Sequence, residues 1–492
     1  MDPTLESNPN PNPNPNPNPD PNNLIHIIRE KNVNNEYIDS KIFLDKKMID
    51  KGTMAQIREL IQHPSVVHSR FMPDCHRGAR CCVGFTSKLI DKIVPRYVGG
   101  DIGCGILTYP VHQPIITNID DRDNLKKIEE IIRANVPMGT KNCVINGTKI
   151  KCVWKDPIIT NEDINWVCYN AQNEATQFVD AYYNIFNIDI SASCVVYNNE
   201  WFQKLCQKCG IEYEYVLQSL GTLGGGNHYV EINKDNLTNM DYITIHSGSR
   251  SIGDKVCMYH QEKINETRRF DYQEYNFKIK QFERKCKESK QQKLYMDSLK
   301  EGFDKAKHED YLEGDEAYEY YFDMIFCQKL AQLNRRLMLK NILINLNIYT
   351  FNSVDGLYDS PQIIESIHNY IDFRDFIVRK GAIATYENTK CIISLNMRDG
   401  ILLCEGKGNS DWNYSSAHGC GRIMTRDKAL KKIKMDEFIE SMKGVYSTSV
   451  VSETIDESPM VYRDSELVKR ALSDSVVILA QLKPVINVKG LS

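Results

Sequence analysis

The spacing of apolar side chains along the chain predicts both helices and strands. In DDRDNLKKIEEIIRANV, residues 120–136, apolar positions recur at helical spacing and acidic residues occupy the first turn, which predicts an amphipathic helix. Four runs rich in β-branched and aromatic residues lie near glycine or asparagine and predict strands: residues 92–99, 105–111, 242–248 and 390–396. Together these patterns predict a mixed α/β fold.

Two stretches lack the apolar pattern of the rest of the chain. Residues 8–23 alternate asparagine with proline, so we expect residues 1–23 to form a disordered tail. Residues 261–307 hold thirteen Lys or Arg against nine Asp or Glu without a sustained apolar stripe, which predicts an inserted helical hairpin. Because we find no internal repeat and no Gly/Ser linker after the tail, residues 24–492 are predicted to form a single large domain with a central active-site cleft.

Composition refines this picture by excluding some classes of protein. The 492 residues carry a formal net charge of −4 and are 41% hydrophobic, which is typical of a globular protein and not of a strongly basic nucleic-acid coat. No apolar run approaches the ~18 residues of a membrane span, and no secretory signal precedes the globular part. We therefore expect an intracellular protein, in the cytoplasm or the nucleus, with no membrane segment and with most of its 16 cysteines reduced.

Glycines surround the first candidate chemical groups. In VGGDIGCGI, Asp101 and Cys104 lie three residues apart between four glycines, which allow the backbone to turn sharply and approach a ligand closely. The alternative is a structural turn, with an aspartate that caps it and a buried cysteine.

Four of the eleven histidines lie in similar surroundings. GTLGGGNHYVE carries Asn227, His228 and Glu231, IHSGSRSIG ends a strand at His246, SIHNY offers His368 and Asn369, and SSAHGCGRIMTR holds His418. A carboxylate, a thiolate and imidazoles suit Mn²⁺, Zn²⁺, Fe²⁺ or Co²⁺ better than Ca²⁺ or Mg²⁺. These motifs indicate a redox or nucleophilic metal site, with satisfied structural histidines as the alternative.

Several familiar motifs are absent or incomplete. CQKC, residues 206–209, is a lone C-x-x-C without a second pair, and we expect it to pack in the core and not to bind metal. No phosphate-binding loop of the G-x-x-x-x-G-K-[ST] type occurs, and SVDGLYD lacks the lysine that a lysine-based nucleotidyl transferase would need.

Eight motifs in order resemble the RtcB family of RNA ligases: FMPDCHRGA, VGGDIGCGI, GTLGGGNHYVE, IHSGSRSIG, SIHN, RKGA, SAHGCGR and LKPVINVKG. They span roughly residues 24–490, and the resemblance implies a single RtcB-like domain. It also implies two Mn²⁺ ions bridged by the Cys104 thiolate. Asp101 and His228 would complete one ion, and His246 and His368 the other.

The resemblance further implies a reaction. The family joins an RNA 3′-phosphate or 2′,3′-cyclic phosphate to a 5′-hydroxyl, with GTP and through a guanylylated histidine that His418 matches. The residues that would hold the guanylate are Asn227, Tyr229, Glu231, Asn369, Gly419, Cys420, Gly421 and Lys489. Expected partners are RNA, such as tRNA exon halves or broken RNA, and an archease-like activator. Asp74 and His76 would support the site from behind, or simply form a turn next to a strand.

The chain also departs from the family pattern. Val378 precedes RKGA where the family has histidine, SLNM replaces a Pro-Gly-Ser-Met loop, Ile401 replaces a serine, and an expected arginine falls near Tyr215.

The leading hypothesis is an active RNA ligase in tRNA splicing or RNA repair. The alternatives are a metal-dependent RNA phosphodiesterase or cyclic phosphatase, and a non-catalytic RNA-binding relative. Within the insert, residues 278–293 hold seven Lys or Arg against two Glu and are a candidate contact for RNA phosphates, or a solvated helix face.

Overall fold

A computed structural model describes most of the chain: residues 25–28, 30–32, 37–79, 81–139, 142–145, 148–151, 159–267, 310–349 and 356–490. The predicted tail up to residue 23, most of the predicted insert and its basic strip 278–293 lie outside these residues. What was predicted for them stays a prediction.

The described residues form helices and strands throughout, which confirms the mixed α/β prediction. The helices are α1 (Lys51–Gln62), α2 (Pro95–Val98), α3 (Arg122–Asn135), α4 (Asn161–Phe186), α5 (Asn199–Lys208), α6 (Tyr213–Ser219), α7 (Ser251–Thr267), α8 (Gly314–Asn345), α9 (Arg426–Lys432), α10 (Met435–Ser441) and α11 (Ser465–Ala471). The strands are β1 (His26–Ile28), β2 (Asp39–Ile42), β3 (His68–His76), β4 (Val83–Lys88), β5 (Lys92–Ile93), β6 (Gly105–Val111), β7 (Asn142–Ile145), β8 (Thr148–Lys151), β9 (Tyr229–Asp235), β10 (Asp241–Ser247), β11 (Leu312–Glu313), β12 (Ile364–Ile367), β13 (Asn369–Asp372), β14 (Ile377–Lys380), β15 (Ala382–Ala384), β16 (Lys390–Asn396), β17 (Gly400–Gly406), β18 (Ser415–Ala417) and β19 (Val476–Val488).

Two large sheets form the frame of the fold. One has the strand order β1-β2-β3-β4-β14-β13, and the other has the order β12-β6-β10-β9-β19-β17-β16. Within both sheets the pairs are antiparallel, apart from the parallel pair of β2 and β3. Strands β12 and β13 belong to different sheets although a single residue, His368, separates them. The two sheets therefore meet at that histidine.

A long helix, α8, is buried along most of its length and carries apolar residues on all sides, as expected of a helix inside a large domain. It also carries a fully buried arginine. The Arg335 guanidinium donates to the carbonyl oxygens of Gly103 and Ser247 at 2.9 and 2.6 Å and pairs with Glu365 at 2.6 Å. It thereby ties together three segments next to the candidate site. Neither α8 nor any other helix in the described ranges has the combination of length and hydropathy required to span a bilayer.

The helix predicted over residues 120–136 is confirmed as α3. Its N-cap is Asp121, whose side chain accepts from the Asn124 N–H, and its buried residues are apolar apart from Glu129. Three of the four predicted strands are confirmed as β6, β10 and β16.

The prediction of a strand over residues 92–99 is correct only for the first two residues and wrong for the others. Strand β5 ends at Ile93, and Pro95 begins the short helix α2. Proline is favoured at a first helical position because its fixed φ suits the helix and its missing N–H has no partner to lose there. Gly99 then ends the helix with a φ of +91°.

Candidate active site

A tight turn before β6 presents Asp101 and Cys104. The Cys104 N–H donates to the Asp101 carbonyl at 3.1 Å, and the Gly103 N–H donates to the Asn369 carbonyl at 2.8 Å. Gly103 has a φ of +70°, and a Cβ there would come within 2.8 Å of the Gln328 Cα of helix α8. Glycine is therefore required at this position, both for the turn and for its close packing on the helix.

The five metal-ligand candidates lie in a continuous chain of contacts. The Nε2 of His228 is 3.0 Å from Asp101 Oδ2 and 3.5 Å from Cys104 Sγ. The Cys104 Sγ is in turn 3.4 Å from His246 Nε2. The Nε2 of His246 is in turn 3.3 Å from His368 Nε2. Two atoms bound to the same cation at 2.0–2.3 Å lie roughly 3–3.7 Å apart, so these spacings fit shared cations.

The protonation states of the buried ligands also fit a metal. Burial lowers the pKa of His246 and His368 well below the ordinary histidine value, so both rings are neutral and have a lone pair to donate. Burial, reinforced by the charge of Asp101, raises the pKa of Cys104 well above its ordinary value. A thiolate at this position therefore needs a cation beside it.

The orientation of His228 supports the same conclusion. Its Nδ1 lies 3.0 Å from the Leu223 carbonyl, which holds the proton on that nitrogen and leaves the Nε2 lone pair directed at Asp101 and Cys104. A backbone carbonyl on the far nitrogen is a common way for proteins to orient a metal-binding histidine. The ligand atoms of Cys104, His228 and His246 all lie within 4.8 Å of one another.

His418 is held by one ring nitrogen. Its Nδ1 lies 2.7 Å from the Gly381 carbonyl and 2.7 Å from Asp74 Oδ2. Because both of these atoms are acceptors, the Nδ1 carries the proton and Nε2 keeps a lone pair. The ring centroids of His418 and His368 are 4.7 Å apart, so the candidate nucleophile adjoins the candidate metal ligands.

The expected support by Asp74 and His76 has a structural basis. Asp74 is completely buried at the end of β3 and also accepts from the Gly419 N–H at 3.2 Å. The His76 Nδ1 bonds the Asp74 carbonyl at 2.8 Å, and burial lowers the pKa of His76 to about 4. Asp74 contacts the candidate nucleophile directly from outside the cavity lining, whereas His76 bonds the Asp74 backbone and itself lines the cavity.

A cavity of about 480 Å³ brings most of the predicted residues together. It is lined by metal-ligand candidates Asp101, Cys104, His246 and His368, by His418, and by guanylate candidates Asn227, Tyr229, Asn369, Gly419, Cys420, Gly421 and Lys489. His228 and Glu231 are absent from this lining. His228 contacts the lining residues Asp101 and Cys104, as described above, and Glu231 lies behind the wall.

Glu231 is buried and already hydrogen-bonded. Its two carboxylate oxygens each accept from an amide at 2.7 Å, one from Asn487 and the other from Asn233. Burial raises the pKa of Glu231 to about 7, although both amides and Lys489 act to lower it. Contact with a guanine edge would therefore require Glu231 to exchange one of these bonds.

Sequence reasoning identified only Lys489 of a charged cluster in the lining of the cavity. Glu457 contacts Arg422 at 3.2 Å, Arg426 at 2.6 Å and Lys489 at 3.5 Å, and it accepts from the Tyr462 hydroxyl at 2.7 Å. Although burial acts to raise the pKa of Glu457, these cations hold it at about 2. Both arginines belong to the SSAHGCGRIMTR motif. Their position shortly after His418 could therefore have marked them as residues of the same site. No comparable motif marks Glu457 or Tyr462.

The departures from the family pattern fall in different places. Val378 and Ile401 are buried in β14 and β17 and do not line the cavity. The SLNM segment does line it, and its Ser394 hydroxyl lies 2.7 Å from the Tyr229 hydroxyl. Cys206 and Cys209 pack in the core near the end of α5, and within the described residues neither belongs to a cluster of metal-binding side chains.

Comparison with known proteins agrees with this geometry. A sequence model of the family "RtcB: tRNA-splicing ligase RtcB" matches residues 56–490. The RNA-splicing ligase RtcB of Escherichia coli K12 is 28% identical over 441 residues, which cover 86% of this chain and 90% of that protein. The tRNA-splicing ligase RtcB of Methanococcus maripaludis is 24% identical over 515 residues, which cover 93% and 94%. The RNA-splicing ligase RtcB homolog 2 of Entamoeba dispar is 24% identical over 482 residues, which cover 87% and 81%. Because the family match spans most of the chain and every candidate site residue, this chain belongs to the RtcB family.

Proposed function

We propose that this protein is an RNA ligase that uses GTP and Mn²⁺ to join an RNA 3′-phosphate or 2′,3′-cyclic phosphate to a 5′-hydroxyl. The observation that carries the proposal is the placement of His418. Its Nδ1 is fixed by Asp74 and Gly381, and its ring adjoins His368 in a cavity that also contains the candidate guanylate residues. Family membership and the names of the relatives support RNA ligation, the coarser part of this proposal.

The first step is nucleophilic attack by His418. The Nε2 lone pair forms a bond to the α-phosphorus of GTP, the bond to the β-phosphate breaks, and pyrophosphate leaves. The ring then carries positive charge, which the buried Asp74 carboxylate stabilises through its contact with Nδ1–H. Asp74 thus orients the ring before attack and compensates its charge afterwards.

The guanylate next passes to RNA. An oxygen of the RNA 3′-phosphate attacks the phosphorus of the adduct, the N–P bond breaks, and the neutral imidazole is restored. A 2′,3′-cyclic phosphate is first opened by water. In the last step the RNA 5′-hydroxyl attacks the activated 3′-phosphorus and GMP leaves, which closes the strand.

The metal-ligand candidates would hold two Mn²⁺ ions, with Cys104 shared between Asp101 and His228 on one side and His246 and His368 on the other. Bound there, the cations would neutralise phosphate charge. The described side chains have the donor types and spacings that this requires. Lys489 and the two arginines next to Glu457 offer further positive charge in the lining of the same cavity.

Ligation of two defined RNA strands tests the proposal. We expect a joined product from a strand ending in 3′-phosphate and a strand beginning with 5′-hydroxyl, and only when GTP and Mn²⁺ are both present. A matched strand ending in 3′-hydroxyl should give no product. Opening of a cyclic phosphate without joining would favour the phosphodiesterase alternative, and RNA binding without chemistry would favour the non-catalytic one. A role in tRNA exon joining or RNA repair, and the need for an archease-like activator, remain predictions.

A further inference from the structure

A second cavity, of about 450 Å³, lies next to the candidate active site and has no part in the proposed reaction. Its size is within the roughly 300–1,000 Å³ typical of small-molecule sites. Ser366, Ile367, Tyr370 and Ile371 line it, whereas His368 and Asn369, between them in the chain, line the first cavity. The two cavities are thus lined by consecutive residues of one segment.

The rim of the second cavity carries an arginine prepared for stacking. The Arg374 guanidinium lies over the Tyr386 ring, 4.0 Å from its centroid, and makes two hydrogen bonds to Asp372 at 2.7 and 2.9 Å. Its side chain is nevertheless 63% exposed. Because the guanidinium is held in place on one side and open on the other, it can stack on a flat ring from solvent.

The floor of the cavity carries an unused hydrogen-bond donor. Gln328 of α8 is only 2% exposed, and its Nε2 has no hydrogen-bond partner among the described residues. The Nε2 atom is itself buried, so a ligand acceptor would reach it after the Gln328 side chain turns toward the cavity, and the free energy that an unpaired buried donor costs favours that turn. Two further glutamines, Gln177 and Gln332, line the same cavity. Amide side chains of this kind recognise the donor and acceptor pattern of a nucleobase edge.

The charges of the cavity suit a phosphate at its rim. Each lining carboxylate is neutralised within the protein: Glu174 by Lys329, Glu365 by Arg335 and Arg336, and Asp372 by Arg374 and Arg379. Lys390, also in the lining, is exposed and makes no ion pair with any described residue. A phosphate next to Lys390 would therefore meet an ammonium group that no carboxylate of the described residues contacts, although Glu405 lies opposite it across the β16–β17 pair.

We propose that this second cavity binds an unpaired nucleotide, with its base stacked on Arg374 and read by Gln328, and its phosphate at Lys390. Unpaired bases are commonly bound by stacking on arginine planes together with hydrogen bonds to their edges. The nucleotide could come from single-stranded RNA or from the free nucleotide pool. The proposal does not depend on guanylylation, so its failure would leave the proposed function untouched.

Binding titrations with the full-length chain test the proposal. Fluorescence anisotropy would follow a short single-stranded RNA that ends in 3′-hydroxyl and cannot be ligated, and calorimetry would follow the four free nucleoside monophosphates. Arg374→Ala and Gln328→Leu should each weaken binding about tenfold, the size expected for loss of one base-stacking or base-reading contact. Both variants should fold, because Asp372 keeps its contact with Arg379 and the Gln328 donor has no partner to lose.

Two controls complete the test. Arg58→Ala removes another exposed arginine paired with an acid, outside both cavities, and should leave binding unchanged. Photocrosslinking of 4-thiouridine RNA to the His418→Ala protein should mark peptides that line the second cavity. If the two variants lose affinity for the RNA alone, the site is assigned to RNA. If they lose affinity for the monophosphates alone, it is assigned to a free nucleotide. Unchanged affinity for both probes in both variants, or crosslinks confined to the first cavity, would overturn the proposal.

Discussion

The two sides of the candidate active site differ in what they need from a ligand. The metal side, formed by Asp101, Cys104, His228, His246 and His368, combines three imidazoles, those of His246 and His368 with lowered pKa, a thiol of raised pKa and one carboxylate, at mutual spacings that fit shared cations. The nucleotide side, formed by Arg422, Arg426, Glu457, Tyr462 and Lys489, is an ion cluster in which three cations share the Glu457 carboxylate, so positive charge is in excess. The metal side therefore has donor groups that an added cation would satisfy, whereas the nucleotide side is already held together by its own ion pairs.

Cys104→Ser should give the largest effect, because this thiolate would contact both cations. Loss of residues that only orient a ligand already costs roughly 10- to 100-fold in metal affinity, so we expect at least about a 100-fold loss here. Metal analysis of the purified protein measures it. Cys206→Ser, which changes another buried cysteine in the same way, should keep its Mn²⁺. Full Mn²⁺ occupancy in Cys104→Ser would contradict the assignment of the metal side.

Asp74→Asn should slow guanylylation without emptying the metal side. The amide cannot stabilise a charged imidazole, but the Gly381 carbonyl still holds the Nδ1 proton, so the loss should be roughly 10- to 100-fold and not complete. Adduct formation from labelled GTP gives the rate, and metal content measured on the same sample separates the two roles. If the rate is unchanged, Asp74 has no part in the step.

Glu231→Gln should lower the preference for GTP over ATP in adduct formation by about tenfold, because only a carboxylate can accept hydrogen bonds from both donors of a guanine edge. Burial raises the pKa of Glu231 to about 7, so this carboxylate is lost as the pH falls through about 7. The preference for GTP over ATP in adduct formation should therefore increase with pH in the wild type and stay flat in Glu231→Gln. A flat wild-type profile would show that Glu231 does not read the base.

The same raised pKa predicts a stability effect of opposite sign. The folded protein binds the Glu231 proton more tightly than the unfolded chain does, so its stability should fall as the pH rises from the ordinary glutamate range through about 7. Urea titrations at several pH values measure this slope, and Glu231→Gln should reduce it. An identical slope in the variant would mean that the carboxylate titrates normally.

Gly103→Ala should give the smallest effect, a loss of stability in the turn of the metal side. A left-handed φ costs about 1–2 kcal/mol in any residue with a Cβ, and Gly210→Ala, with a φ of +64° and open space around it, should show this cost alone. At Gly103 the added Cβ also meets the backbone of α8. Gly103→Ala should therefore lose more folding stability than Gly210→Ala does, by about 1 kcal/mol or more. Thermal unfolding of both variants compares them, and equal losses would show that the turn can move away from α8.

The sequence was informative where a local motif carries the chemistry. Glycine-flanked Asp101 and Cys104, and the histidines at strand ends, identified the residues that the fold brings together at the metal side. On the nucleotide side only Lys489 was identified, because Glu457 and Tyr462 come from a segment without a recognisable motif and Glu457 pairs with cations far from it in the chain. The helix predicted over residues 120–136 followed from its apolar periodicity. The strand predicted over residues 92–99 was wrong because Pro95 begins the helix α2. The hydrogen bonds of Asp74 to His418 and of Glu231 to Asn487 join residues far apart in the chain, and no local pattern predicts them.

The central claim is that His418 forms the covalent adduct with GMP, and the most direct measurement is to locate that adduct. The protein would be incubated with labelled GTP and Mn²⁺, resolved on a denaturing gel and mapped by peptide mass spectrometry. We expect one acid-labile, alkali-stable adduct on His418 in the wild type, and no adduct in His418→Ala although that variant keeps its Mn²⁺. An adduct that persists in His418→Ala, or that maps to a lysine, would contradict the account.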